Sequence, residues 1–260
     1  MPNRPGLLPR FPSPIDLAQS VTQNWRRALV GIRGARVDAS NSSVTTWDTV
    51  IPASTINNDL GIAFVVYSPL TEDCPTPAGW TIVDTINISA SARARGYQRV
   101  MLATDAGGNL TFTNTTAQRL TAGIIVFDGA LYNAAGVFAQ FVESVSQTTH
   151  TSPTTANLTA DGVELTVFTE RSGTPSATVF PPAGADLQGH AAGVGSGSTA
   201  LAFAVDLTLI ASGNPVGGGI WTESTANATV GTFTLAVSLT AAVSSVVSVE
   251  PIISQYTGFF

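Results

Sequence analysis

Lysine is absent from this 260-residue chain, and all eleven basic residues are arginine. Charged residues make up 11% of the sequence, against about a quarter in an ordinary soluble domain. A single cysteine, Cys74, excludes an intrachain disulfide. No stretch of about eighteen apolar residues exists, so no transmembrane helix is expected. The opening MPNRPGLLPRFPSP holds no apolar run of about 7–15 residues and does not read as a secretory leader. These absences predict a protein made in a cytoplasm and assembled there.

Hydrophobic residues reach 44%, which argues against disorder. Ser, Thr, Ala and Gly stand where charges would normally be, a profile suited to rigid β proteins packed against copies of themselves. The few charges are unevenly placed. Residues 1–36 carry six arginines against Asp16, and the remaining 224 carry five arginines against sixteen acids. A basic arm suits nucleic acid, but with so little charge density, docking on the acidic body of a neighbouring subunit is the better expectation.

The chain opens with a proline-rich arm over residues 1–13. Ser13 then suits an N-cap, Pro14 a first helical position, and Asp16 the positive helix end. Leu17, Val21, Trp25, Leu29 and Ile32 recur at three- and four-residue spacing as one apolar stripe. Gly31 and Gly34 close the segment. The pattern predicts a helix at about 14–30 and an anchoring unit over 1–37.

From residue 44 the period falls to two. Segments such as LGIAFVVYS, GWTIVDTINI, GVELTVFTE and GTFTLAVSLT alternate with Gly, Pro, Asn and Asp turns. The spacing predicts a mainly β fold over 38–260, an antiparallel β-sandwich or jelly-roll-like body. The Gly-rich AAGVGSGST at 191–199 lacks the lysine of a phosphate-binding loop.

The body also repeats itself. Pro77-Ala78-Gly79 corresponds to Pro182-Ala183-Gly184, AFVVY to ELTVF, YQRVMLA to LAFAVDL, GGNLTFT to GGGIWTE, and TAGIIVF to GTFTLAV. The offset drifts from 101 to about 109, as small loop insertions would produce. This predicts pseudo-repeats at about 50–130 and 151–240 sharing a core across a pseudo-twofold axis. A closing segment, 241–260, would follow.

Chemistry-bearing residues are sparse. His150 and His190 have no Cys, Asp or Glu at ligand spacing, so no metal or other cofactor is expected. Cys74 lies beside Glu72 and Asp73, whose charge would raise its pKa and quiet the thiol. Glu164 and Glu170 sit on one strand face about 20 Å apart, too far for a glycosidase pair. An acid from another strand remains open as a partner, but solvated acids on a sheet face are expected. Trp47, Trp80 and Trp221 read as core or interface. Tyr67, Tyr97 and Tyr132 fall near strand ends or loops, where sugar-stacking residues sit. At the far end Tyr256, Phe259 and Phe260 make an adhesive terminus, costly to leave in water.

Residues 77–129 have a Pro-x-Gly-Trp turn, a Tyr/Arg-rich strand, an Ala-Gly turn before a Thr-rich strand and an apolar strand ending in Gly. In these features the chain resembles a β-sandwich module of minor tail proteins from phages of actinobacteria, and 153–240 resembles its usual continuation. The lysine-free composition fits a GC-rich host range. The arm and helix depart from the module. The resemblance implies a non-enzymatic virion protein at the tail or tail tip. Its expected partners are other virion proteins, copies of itself and a host-surface glycan. A capsid decoration protein is the nearest rival, and a carbohydrate-binding module or glycan-directed enzyme the rival of another class.

Overall fold

The computed structural model describes residues 31–70 and 72–240. The arm, the helix expected at 14–30 and the segment 241–260 lie outside the described residues, and with them Leu17, Val21, Trp25, Leu29, Tyr256, Phe259 and Phe260.

In chain order the first half holds β1 (Ile32–Ala39), β2 (Val44–Val50), β3 (Leu60–Ser68), β4 (Thr81–Ser89), β5 (Ala92–Val100) and β6 (Asn109–Phe127). The second half holds β7 (Tyr132–Glu143), β8 (Gln147–Thr151), β9 (Gly162–Ser172), β10 (Val179–Phe180), β11 (Asp186–Ala192), β12 (Ser198–Ile210), β13 (Ile220–Asn227) and β14 (Val230–Leu239). A single 3-10 turn, Ala103–Asp105, is the one helical piece among the described residues. The strands are rich in Val, Ile, Thr and Phe, which pack well on a pleated surface.

Each half folds into its own sheet, and the two sheets have the same strand order. The first runs β1-β6-β3-β5-β4 and the second β7-β14-β9-β12-β11. The likeness extends to irregularities. The β4–β5 ladder bulges between Ile82 and Asp84, and β11–β12 between Leu187 and Gly189, the same place at an offset of 105. Four residues of β1 (Ile32 to Ala35) span three of β6 (Ile125 to Phe127), as four of β7 (Ala135 to Phe138) span three of β14 (Leu235 to Val237). The repeated Pro-Ala-Gly turns also agree. Trp80 N–H donates to Pro77 O and Ala185 N–H to Pro182 O, with Gly79 and Gly184 at φ of 80° and 92°. Glycine is needed there because a Cβ disfavours positive φ at the third turn position.

The two sheets pack face to face around one core, with β1 against β11 on one side and β4 against β7 on the other. At its centre the repeats have diverged to fit each other. Phe64 pairs with Gly96 and Gly123 on either side, whereas Val167 pairs with Phe203 and Phe233. A small-large-small rung thus faces a large-small-large one. The Phe64 ring meets Phe233 edge-on at 4.9 Å and Phe203 at 6.1 Å between centroids. Identical bulky rungs would leave no room to interdigitate at native packing density.

Each sheet also carries a cover on its outer face. β2 and the start of β6 fold over the first sheet, burying Leu110 and Phe112 against Val65, Tyr67, Trp80 and Tyr97. The small sheet β10-β13-β8 covers the second, with Trp221 and Val179 on Phe168. β3 therefore has both faces in apolar surroundings, and every one of its residues is buried. This is why LGIAFVVYS reads as a continuous apolar run rather than as a strict alternation.

The body begins earlier than residue 38. Ile32, expected on the helical stripe, opens β1, pairs with Phe127 and packs on the central core. Arg33 follows it and bonds Asp128 at 2.9 Å and Asp59 at 3.4 Å. A ladder partner in β6 and the facing strand β11 give this stretch both hydrogen bonds and apolar contact, so tertiary packing overrides the helical spacing.

Candidate functional site

The second half contains a cluster of ionisable groups sealed between β9 and its cover. His150 on β8 and Glu223 on β13 both point inward, on strands whose neighbouring inward residue is Trp221. His150 Nε2 lies 2.8 Å from Glu223 Oε1. Ser176 Oγ donates to Glu223 Oε2 at 2.8 Å, and Ser176 N–H donates to Glu170 Oε2 at 3.0 Å. Asn227 Nδ2 donates to the other Glu170 oxygen at 2.6 Å. All four of His150, Glu170, Ser176 and Glu223 are buried. Burial first, and then the adjoining Glu223 carboxylate, push Glu170 up to about 7.

The expectation of solvated acids therefore fails for Glu170, which is fully buried and finds its partner acid on another strand. Glu164 is half-buried and accepts the Gly217 N–H at 3.2 Å. Alternation held the signal: Glu170 shares a face with Phe168, and Glu223 with Trp221. At the positions of the first half that match His150, Glu170 and Glu223 in register stand Thr49, Tyr67 and Phe112, so the imidazole and the two carboxylates belong to one repeat alone.

This cluster is not arranged for nucleophilic catalysis. Such a relay needs an imidazole between hydroxyl and carboxylate; here the carboxylate lies between Ser176 and His150, and no solvent reaches them. What the arrangement does is tie β8, β13 and the loop before β10 to β9. His190, on β11, is not brought to it. Among the described residues no group of three or more His, Cys, Asp or Glu is placed to hold a metal ion.

Other candidates are buried as well. Tyr67, Tyr97 and Tyr132 are fully buried, which overturns a sugar-stacking role and places them in the cores. Trp221 and Trp80 are core residues, and Trp47 packs half-buried on the outer core of the first half. Cys74 is buried, and its thiol is pushed up to about 12. Burial is the main cause, with Glu72 adding and Arg95 opposing.

The first half carries an open cleft of about 410 Å³. One wall is the stretch Pro75–Ala78 and the other the free side of β6, with Trp80, Arg99 and Asp105 at its end. Arg99 Nη2 bonds Asp105 at 3.2 Å, which leaves the end of the cleft without net charge. No helix among the described residues is long and apolar enough to cross a membrane. No protein-family model, curated protein or solved structure matches the chain.

Proposed function

We propose that this chain is a non-enzymatic structural protein of a virion, a minor tail or tail-tip component of a phage. The observation that carries the reading is the duplicated, four-layered body, in which His150, Glu170, Glu223, Cys74 and three tyrosines are all spent on its own cores. A rigid, weakly charged scaffold of this kind suits repeated assembly rather than turnover of a substrate. The sequence features shared with phage tail modules over 77–129 and 153–240 support the same reading. The arm and the segment before Ile32 would fasten the body to other virion proteins or to further copies.

The test is immunogold electron microscopy of phage particles with antibody raised against the full chain. Label at the tail tip is the expected result. Label spread over the head would make the protein a capsid decoration. Particles that carry no label, with the protein free in the lysate, would overturn the virion reading altogether.

A further inference from the structure

The two main sheets end in four edge strands, β1 and β4 in the first, β11 and β7 in the second. An edge strand offers unpaired N–H and C=O groups to any other strand, and charge or irregularity usually blunts it. β4 carries Asp84 at its bulge, and β11 carries Asp186 beside its own. β1 carries Arg33, Arg36 and Asp38. β7 is 12 residues long and has one charge, Glu143, at its last position.

The direction of the β7 backbone groups follows from the ladder. Arg171 N–H donates to Thr229 O at 3.0 Å, so the odd-numbered residues of β14 turn their backbone groups toward β9. The even-numbered ones turn toward β7, to Ala139, Phe141 and Glu143. Phe138, Gln140 and Val142 therefore turn their N–H and C=O groups outward, where no strand of the described residues pairs with them. Before the bulge the edge is closed, because the Ala135 N–H donates to Gln98 Oε1 at 3.0 Å. Beyond it Phe138 is 41% and Phe141 46% exposed.

The twin edge is built differently. Val37 pairs with Gly123 and Gln140 with Phe233, the two rungs at the centre of the core, so Gln140 answers to Val37. Arg36 and Asp38 then stand where β7 has Ala139 and Phe141, and they bond each other at 2.7 Å. The same place is charged in one repeat and apolar in the other.

We infer that the β7 edge is a self-association surface, at which two copies of this chain join their second sheets through antiparallel β7 strands. A second copy fits better than an unrelated strand because the open stretch is symmetric about Gln140. With that residue on the twofold axis the pairing is isologous. Phe138 faces the second copy's Val142 and Phe141 its Ala139, so on both sheet faces each ring meets a smaller side chain. Glu143 falls opposite the second copy's Val137, and the two glutamates stand about 20 Å apart along the strands. No like charges oppose each other. Five residues a side bury less than the roughly 1,200 Å² of a tight complex, so dissociation is expected at tens of micromolar. Copies held close together in an assembly would pair more fully.

Sedimentation velocity of the full chain from about 1 to 200 µM tests this, with residue-resolved amide hydrogen exchange at two concentrations. Dimers are expected within that range. A tenfold rise in concentration should slow exchange of the Phe138, Gln140 and Val142 amides about threefold, because the monomer fraction falls as the square root of concentration. Ala139 and Phe141, bonded to β14, should not change. Phe141→Asp sets two like charges across the axis, and Gln140→Pro removes an N–H that only the dimer uses; each should weaken association at least about tenfold. Phe141→Asp alters an exposed side chain and keeps every ladder bond, so it decides should the proline chain fail to fold. A chain that stays monomeric throughout would overturn the inference, as would oligomers that survive both substitutions. Protection of the three amides that is independent of concentration would also overturn it, by assigning the edge to a segment of the same molecule.

Discussion

His150 and Glu223, 73 residues apart in the chain, meet at 2.8 Å with both side chains shut away from solvent. The pair joins two strands of one cover sheet and sits directly over β9. Removing one member leaves the other's buried polar atoms short of a partner, which costs far more than the pair was worth. His150→Ala is expected to lower stability by about 3 kcal/mol, read as a drop in the urea midpoint at constant slope. A change below about 1 kcal/mol would mean that water reaches Glu223.

Glu170 gives stability a pH dependence. Its pKa rises from an ordinary 4.5 to about 7 in the folded protein. A raised folded pKa means that the folded state binds the proton more tightly than the unfolded chain. The resulting stability is full below about 4.5, declines as pH rises, and is lost above about 7. Glu164 and Asp84, also raised by burial, act in the same direction. The unfolding free energy should fall by as much as about 3 kcal/mol on this account between pH 5 and 8. Glu170→Gln should flatten that slope when urea unfolding is repeated across the range; an unchanged slope would remove Glu170 as its source.

Gly123 tests the fit between the repeats. A Cβ built there would lie 2.6 Å from the Phe203 ring, 2.9 Å from Val37 Cγ2 and 3.0 Å from Arg36 O. Gly123→Ala is expected to cost about 1–3 kcal/mol by overpacking. Phe203→Leu in the same chain should recover part of that loss, giving a coupling energy in a double-mutant cycle. Strict additivity would show that the rungs do not interlock.

Because the central core draws Phe64, Ile125 and Phe127 from one repeat and Leu165, Phe203 and Phe233 from the other, neither sheet buries its inner face alone. Calorimetry of the full chain should show one transition, with equal calorimetric and van't Hoff enthalpies. Two separated transitions would mean that the outer cores suffice to hold each half.

Much of the architecture is written locally. Alternation of Val, Ile, Thr and Phe with Gly and Pro turns specifies strands because the pleat has a period of two. The recurrence of Pro-Ala-Gly exposes the duplication because a turn needing positive φ tolerates few residues. Burial of Trp221 and of Trp80 was legible for the same reason. What the tertiary structure decided depends on which faces meet. Ile32 continues a helical spacing, yet two sheets offer it more apolar contact as a strand. Tyr67, Tyr97 and Tyr132 look like surface residues near turns until the covers close over them. Glu170 looks solvated until β13 brings Glu223 above it, and the bare edge of β7 becomes visible once β1 shows which charges stand at the same place in its twin. Each of these rests on contacts between residues distant in the chain, where no local period or propensity carries a signal.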